Sequence, residues 1–388
     1  MNKMVMSVPL RMAGLDLKTF YGQQMHGSHG FWQGVTRYAV PQFKGRKEAF
    51  CPVNEQEDSE IIEAFGSKKP DSSHYLLHRV TAEKNTKHTT PVLLVHGAAV
   101  GGNSWAVDFD DDGQGVARYL FENGFTVYAI THSHSHGDNR IQAAQLADAV
   151  DRICEETGSR QVDVVCHSKG GIALRMWLQG LAGIPYIGNI RRALFLGVPN
   201  LGTDQVFRHP TQGFIGYMMG ANIVMAYDQI WNMGMLLDTR EYSIYKQGTF
   251  HGQAQLLYDW SGKVPVDPLE PDAEIAYHGG WGMFGYSRGI KQGMADGEYL
   301  IKKLDISSFP NQIEVALLAG TSHFFGTMPA ENGAPSDGMV FAASALHDKP
   351  FVANGCRVIA SDKVYVNHLE LLYHKKVGEW VQECLTCQ

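Results

Sequence analysis

A chain of 388 residues can bury a sizeable core and is longer than one minimal domain. With 44% hydrophobic and 19% charged residues it reads as a globular protein, and its formal net charge of −7 argues against a nucleic-acid partner. No apolar run is long enough to span a bilayer, and the opening MNKMVMSVPLRMAG has only a short apolar patch broken by Ser7 and Pro9, too weak for a secretory leader. The expected location is cytoplasmic, or secreted if a leader has been removed.

Residues 1–74 show no alternation of strand and helix patterns. They hold aromatic patches (Phe20, Tyr21, Phe31, Trp32), an acidic polar stretch and the turn-rich SKKPDSSH, and are expected to form an N-terminal extension packed on the core. Alternation begins at Tyr75, with strands predicted over 75–80 and 92–95 and a helix over 113–123 that Gly124 closes. Asp108, Asp110, Asp112 and Gly113 imitate the start of a calcium loop, but Tyr119 stands where a bidentate glutamate is needed. These acids are instead expected to cap the following helix, whose N-terminal dipole favours negative charge. A strand follows over 126–130 and a helix over 141–156, with Ala143, Leu146, Ala147, Val150 and Ile153 on one face. Between them, THSHSHGD sets His132, His134 and His136 at alternate positions, which an extended segment would turn to one side. A catalytic metal needs further ligands at set spacings, so no metal is expected there.

Residues 162–171 read VDVVCHSKGG: a β-branched run stops at Ser168, and Gly170 and Gly171 follow at once. That is a strand entering a helix through a turn tight enough to lift a hydroxyl clear of the sheet. A serine hydroxyl is a weak nucleophile and needs a base beside it. The turn resembles the Gly-x-Ser-x-Gly elbow of α/β-hydrolases, with Cys166 in place of the first glycine. The alternation of strand and helix from Tyr75 onward implies a mainly parallel sheet covered on both faces by helices, as the α/β-hydrolase fold has. Residues 91–102, PVLLVHGAAVGG, resemble the strand and loop that lend this superfamily one oxyanion donor, so the main chain of Ala98 and of Lys169 is implicated.

Residues 191–203, RRALFLGVPNLGT, resemble the segment after the nucleophile helix in bacterial triacylglycerol lipases, with Asn200 replacing the usual histidine. The lipase likeness extends to SDGMV, which implies Asp337 as the acid, and to VNHLEL, which implies His368 as the base. The order Ser, Asp, His agrees with that superfamily. In such a triad His368 takes the serine proton and returns it to the leaving alcohol, while Asp337 fixes the imidazole tautomer. Asp348 and Asp362 are rival acids, and His323, His347 and His374 rival bases.

Between 203 and 312 the alternation dissolves into a stretch rich in methionine and aromatic residues. The resemblance implies a hydrolase core over 75–203 and 313–388, with 204–312 as a cap or lid insert. Met218, Met219 and Trp231 are expected to line an apolar acyl site, the alternative being a small core of the insert's own. The sheet resumes over 313–319, and a closing helix over 369–384 docks through Leu371, Val377 and Val381. Cys154, Cys166 and Cys356 read as buried thiols, and the terminal pair Cys384 and Cys387 lacks the partners of a zinc site. The expected function is serine-dependent hydrolysis of carboxylic esters of apolar acyl groups through an acyl-enzyme, on a small-molecule or lipid ester and without a cofactor. A polyester depolymerase or acyltransferase would use the same triad. A non-catalytic binding protein on a hydrolase scaffold would not need one.

Overall fold

The computed structural model describes residues 28, 30–81, 86–109, 113–325, 328–329 and 333–387. Eight strands form its main sheet: β1 Gly34–Ala39, β2 His74–Val80, β3 Val92–Val95, β4 Val127–His132, β5 Val162–His167, β6 Ile190–Leu196, β7 Glu314–Gly320 and β8 Val358–Val364. Their spatial order is β1-β2-β4-β3-β5-β6-β7-β8. From β4 to β8 all neighbours run parallel, whereas β2 is antiparallel to both β1 and β4. Parallel strands joined by helical crossovers are covered on both faces, which is why β3 (VLLV) and β5 (VDVVCH) are buried at every position.

Successive side chains serve opposite layers. Leu93 and Val95 join one core with α3 (Asn139–Thr157) and α4 (Lys169–Leu178), through Ala143, Leu146, Val150, Ile172 and Leu174. Val92 and Leu94 join the other with α2 (Val116–Glu122) and α5 (Lys375–Thr386), through Val116, Leu120, Val377 and Val381. Each such aliphatic side chain contributes about 1.5–3 kcal/mol when fully buried.

Three sequence expectations are revised. Residues 34–39, assigned to an N-terminal extension, pair with β2 as the edge strand of the sheet. GVTRYA is exposed along nearly its whole length, and an edge strand without a buried face carries no apolar alternation to read. Of the aromatic patches nearby, Trp32 is buried and donates to Asn103 Oδ1 (3.0 Å), while Phe20 and Tyr21 lie outside the described residues. The helix expected over 113–123 starts at Val116 with Gly115 at its N-cap; the Asp108 side chain and residues Asp110 and Asp112, expected to cap it, lie outside what is described. Gly115 is needed there because a Cβ would sit 2.3 Å from the Trp105 carbonyl oxygen. The closing helix is split: a 3-10 turn over Glu370–Leu372 precedes α5, whose first turn is capped by His374 Nδ1 accepting from the Lys376 amide. Leu371, Val377 and Val381 are all fully buried.

Residues 204–312 contain regular structure that periodicity did not reveal. Strands Met235–Asp238, Tyr227–Asn232, Gly285–Ser287 and Gly280–Trp281 form, in that order, an antiparallel sheet. Phe207, Tyr227, Ile230, Tyr245, Tyr277, Ile290 and Met294 pack in a cluster of their own beside it. The last helix of this stretch, Leu300–Ile306, instead sends Leu300, Ile301 and Leu304 into the main core. Among the described residues no helix is long and apolar enough to cross a membrane.

Candidate active site

The run VDVVCH must end where it does because the next residue cannot extend the strand. Ser168 has φ 51° and ψ −129°, a conformation that L side chains rarely adopt and that costs about 1–3 kcal/mol. The turn closes because its neighbours lack side chains. A Cβ on Gly170 would lie 2.5 Å from the His96 carbonyl oxygen, and one on Gly171 2.4 Å from Val198 Cγ2. The Ser168 amide bonds to the Leu196 carbonyl (3.0 Å), anchoring the turn to β6. Cys166, at the first position of the elbow, is fully buried between sheet and helix, and burial raises its thiol well above its usual range, leaving it unreactive.

His368 and Asp337 reach this serine from the carboxyl ends of the other strands, one in the loop after β7 and the other in the loop after β8. His368 Nε2 lies 2.8 Å from Ser168 Oγ, and His368 Nδ1 lies 2.7 Å from Asp337 Oδ2. The remaining carboxylate oxygen accepts the amides of Met339 (3.0 Å) and Val340 (2.8 Å), so both oxygens are fixed. The His368 amide also donates to the Asp337 carbonyl (2.9 Å), tying the two loops together. The rivals lie in other surroundings: Asp362 accepts from Trp380 Nε1, His347 pairs with Asp305, and His374 caps α5. Gly197, just after β6, has φ +56°, and a Cβ there would meet Leu371 Cδ1 at 2.6 Å and Asp337 Oδ2 at 2.9 Å.

The loop after β3 lies against the nucleophile, since a Cβ on Gly97 would be 2.7 Å from Ser168 Cβ. Ala98 follows directly. The Lys169 amide opens α4, among the four N–H groups that a helix cannot satisfy internally and at the positive end of its dipole. His96 shapes this loop in a way the sequence did not suggest. Its Nε2 accepts the His132 amide (3.1 Å), so the proton sits on Nδ1, which donates to the Gly97 carbonyl (2.6 Å). Burial pushes this imidazole down to about 4 and keeps it neutral. His167, next to the nucleophile, was also missed: its Nε2 bonds to the His368 carbonyl (2.9 Å), and burial keeps it neutral too. Its position before Ser168 was the signal.

The alternating histidines do not share a face. β4 ends at His132 and the chain then turns, so the rings take different partners even though those of His134 and His136 stay in edge contact (centroids 6.5 Å apart). His132 Nδ1 pairs with Gln145 Oε1 (2.6 Å), His134 Nε2 with the Ala49 carbonyl (3.1 Å) and His136 Nε2 with Asn222 Oδ1 (3.0 Å). All three are buried, and burial lowers their pKa values. They tie residues 48–56 and the segment after 219 to the core. Among the described residues no group of three histidine, cysteine, aspartate or glutamate side chains has metal-binding geometry. With each ring committed to a protein partner, exhaustive dialysis against EDTA is expected to leave both hydrolysis rate and melting temperature unchanged. A rate lost on dialysis and restored by zinc would reverse this.

A polar cavity of about 30 Å³ adjoins the loop after β3, lined by residues that include Asn54, Gln56, Asp58, Gly101, Ser135 and Asn222. Asn222 brings the 204–312 segment to this edge. Met218 packs with Phe214 and Tyr217 in that segment's own cluster, Met219 is half-buried, and Trp231 is 44% exposed beside Trp281 (ring centroids 6.0 Å apart). None of the three makes a hydrogen bond or ring contact with Ser168, Asp337 or His368.

The strand order, the single antiparallel β2 and a serine turn after β5 define the α/β-hydrolase fold. Residues 65–227 match a family described as a domain of unknown function (DUF7379). The triacylglycerol lipase of Vibrio cholerae is 25% identical over 125 residues, which is 32% of this chain and 36% of that protein. The chain thus spans about a third of the length of this curated relative. Among solved structures, a mature Bacillus licheniformis lipase aligns over 78% of this chain and 96% of its own, with TM-score 0.46 and 16% identity. A Bacillus subtilis carboxylesterase aligns over 97% and 99%, with TM-score 0.40 and 12% identity.

Proposed function

We propose that this chain hydrolyses carboxylic esters with Ser168 as nucleophile, through an acyl-enzyme. The observation that carries the reading is the continuous relay from Ser168 Oγ to His368 to Asp337, at 2.8 and 2.7 Å, at the mouth of a strained turn. Ser168 Oγ attacks the ester carbonyl while its proton passes to His368 Nε2. The Asp337 carboxylate, held by two amides, stabilises the imidazolium and keeps Nδ1 protonated. The carbonyl oxygen, now an anion, is received by the main-chain N–H groups of Ala98 and Lys169. His368 returns the proton to the departing alcohol, and water repeats the sequence to release the acid. That similar proteins are named lipases and carboxylesterases supports the same reading.

The acyl group is apolar and of limited length. Methionine and aromatic residues of 204–312 offer adaptable apolar surface, and Asn222 brings that segment to the edge of the loop bearing Ala98. Each buried methylene is worth at most about 0.8 kcal/mol. Across p-nitrophenyl esters of increasing chain length, kcat/KM is therefore expected to rise over the first several carbons and then level or fall. Trimming Met218, Met219 or Trp231 to alanine should shift that optimum more than it lowers turnover of the acetate. A flat profile, or variants that change only melting temperature, would remove the acyl assignment. Absence of hydrolysis on every ester would remove the function.

A further inference from the structure

The residue after the nucleophile carries more than an amide. The Lys169 side chain is 1% exposed, and its Nζ donates to Gln142 Oε1 on α3. Gln142 is buried as well, and its Nε2 donates to the carbonyl oxygens of His134 (2.8 Å) and Ser135 (3.4 Å). Ammonium, glutamine and turn thus form a fixed chain behind Ser168. The groups facing the ammonium come from four elements. Glu48 approaches from the segment before α1 (Ser59–Phe65), Asp138 from the N-cap of α3, His96 from the end of β3, and His132, His134 and His136 from β4 and the turn after it. All four imidazoles are held neutral by burial. Glu48 is committed to His251 Nε2 (3.1 Å) and the Asp138 amide (2.7 Å), and Asp138 to the Arg140 amide and Gln255 Nε2. The direct partner of this buried cation is therefore a neutral amide.

We propose that the charge on Lys169, seated on the residue whose own N–H faces the oxyanion, strengthens that oxyanion when present and ceases to do so when the proton is lost. The inference rests on the ester-hydrolase reading. An extended lysine reaches roughly 6 Å from its Cα. At an effective dielectric near 20, a unit charge acting across roughly 8 to 12 Å changes the rate roughly ten- to thirty-fold. Burial lowers the Lys169 pKa to about 7, only partly offset by Glu48 and Asp138, so the charge is lost within the accessible pH range.

The test is kcat/KM for a p-nitrophenyl ester from about pH 5 to 10 on wild type, K169M and K169R. The wild-type profile should rise as the base is freed and then step down ten- to thirty-fold to a lower plateau. K169M should sit on the lower plateau with no alkaline step, and K169R, charged throughout, should also lack the step. Stability separates this from a packing role. The folded pKa lies below that of the unfolded chain, so the native state releases its proton first and wild-type stability rises from about pH 7 towards about 10.5. K169M should lack that rise and melt at or above the wild-type temperature at low pH, because a buried charge has been removed. A wild-type profile without the alkaline step overturns the proposal whether or not the variants fold, and so does K169M with the wild-type profile. Phosphonate labelling of Ser168 keeps the two readings apart: labelling without the step sinks only the Lys169 role, and neither labelling nor hydrolysis sinks the ester-hydrolase reading.

Discussion

Ser168→Ala is expected to reduce ester hydrolysis on the order of 10⁴- to 10⁶-fold while leaving the fold intact. The hydroxyl bonds to His368 Nε2 (2.8 Å) and caps no helix amide, so its removal costs little packing. Alanine inherits the same strained φ, and the melting temperature should stay close to that of the wild type. A phosphonate ester should label Ser168 and no other serine. His368→Ala and Asp337→Ala should each fall by a comparable order, and the double and triple variants little further, because the three groups act as a unit. Labelling elsewhere would displace the nucleophile. A fully active Asp337→Ala would pass the acid role to Asp348 or Asp362.

Gly197→Ala is expected to damage stability and rate together, although the residue has no side chain to contribute. Placing alanine at φ +56° costs about 1–2 kcal/mol. Its Cβ would also press on Leu371 Cδ1 at 2.6 Å and on Asp337 Oδ2 at 2.9 Å, an overpacking worth about 1–3 kcal/mol. The total is about 2–5 kcal/mol, readable as a lower denaturation midpoint. Relief requires the Asp337 carboxylate to move, and a shift near 1 Å in a catalytic group costs roughly 100-fold in rate. The effect should appear in kcat, since the acid acts on the transition state. An alanine variant with unchanged kcat would mean that the Asp337–His368 contact tolerates displacement.

How much of this could be read without coordinates follows from the range of the forces involved. Strands β3 and β5, helices α3 and α4 and the serine turn between them were legible because burial of a face repeats at fixed spacing along a local stretch, and because Gly170 and Gly171 mark a close approach. The loops that bear Asp337 and His368 have no such periodicity; they were approached through their likeness to lipase segments. The edge strand β1 left no trace, since its residues are solvated on both sides. The antiparallel sheet within 204–312 escaped notice because its strands are short and several of its apolar residues, Trp231, Met235, Leu236 and Trp281, are exposed, so no alternation of buried and solvated positions marks them.

By itself the sequence determined a parallel α/β core and a serine lifted from its end, features that adjacent residues settle among themselves. Only the tertiary structure decided how the polar groups beneath that serine are arranged. Glu48 meets His251, Asn54 meets Thr249 and Lys169 meets Gln142, pairs drawn from distant parts of the chain. Whether a histidine faces a metal or a carbonyl, and whether a lysine holds its proton, depends on desolvation and on partners that no local pattern records.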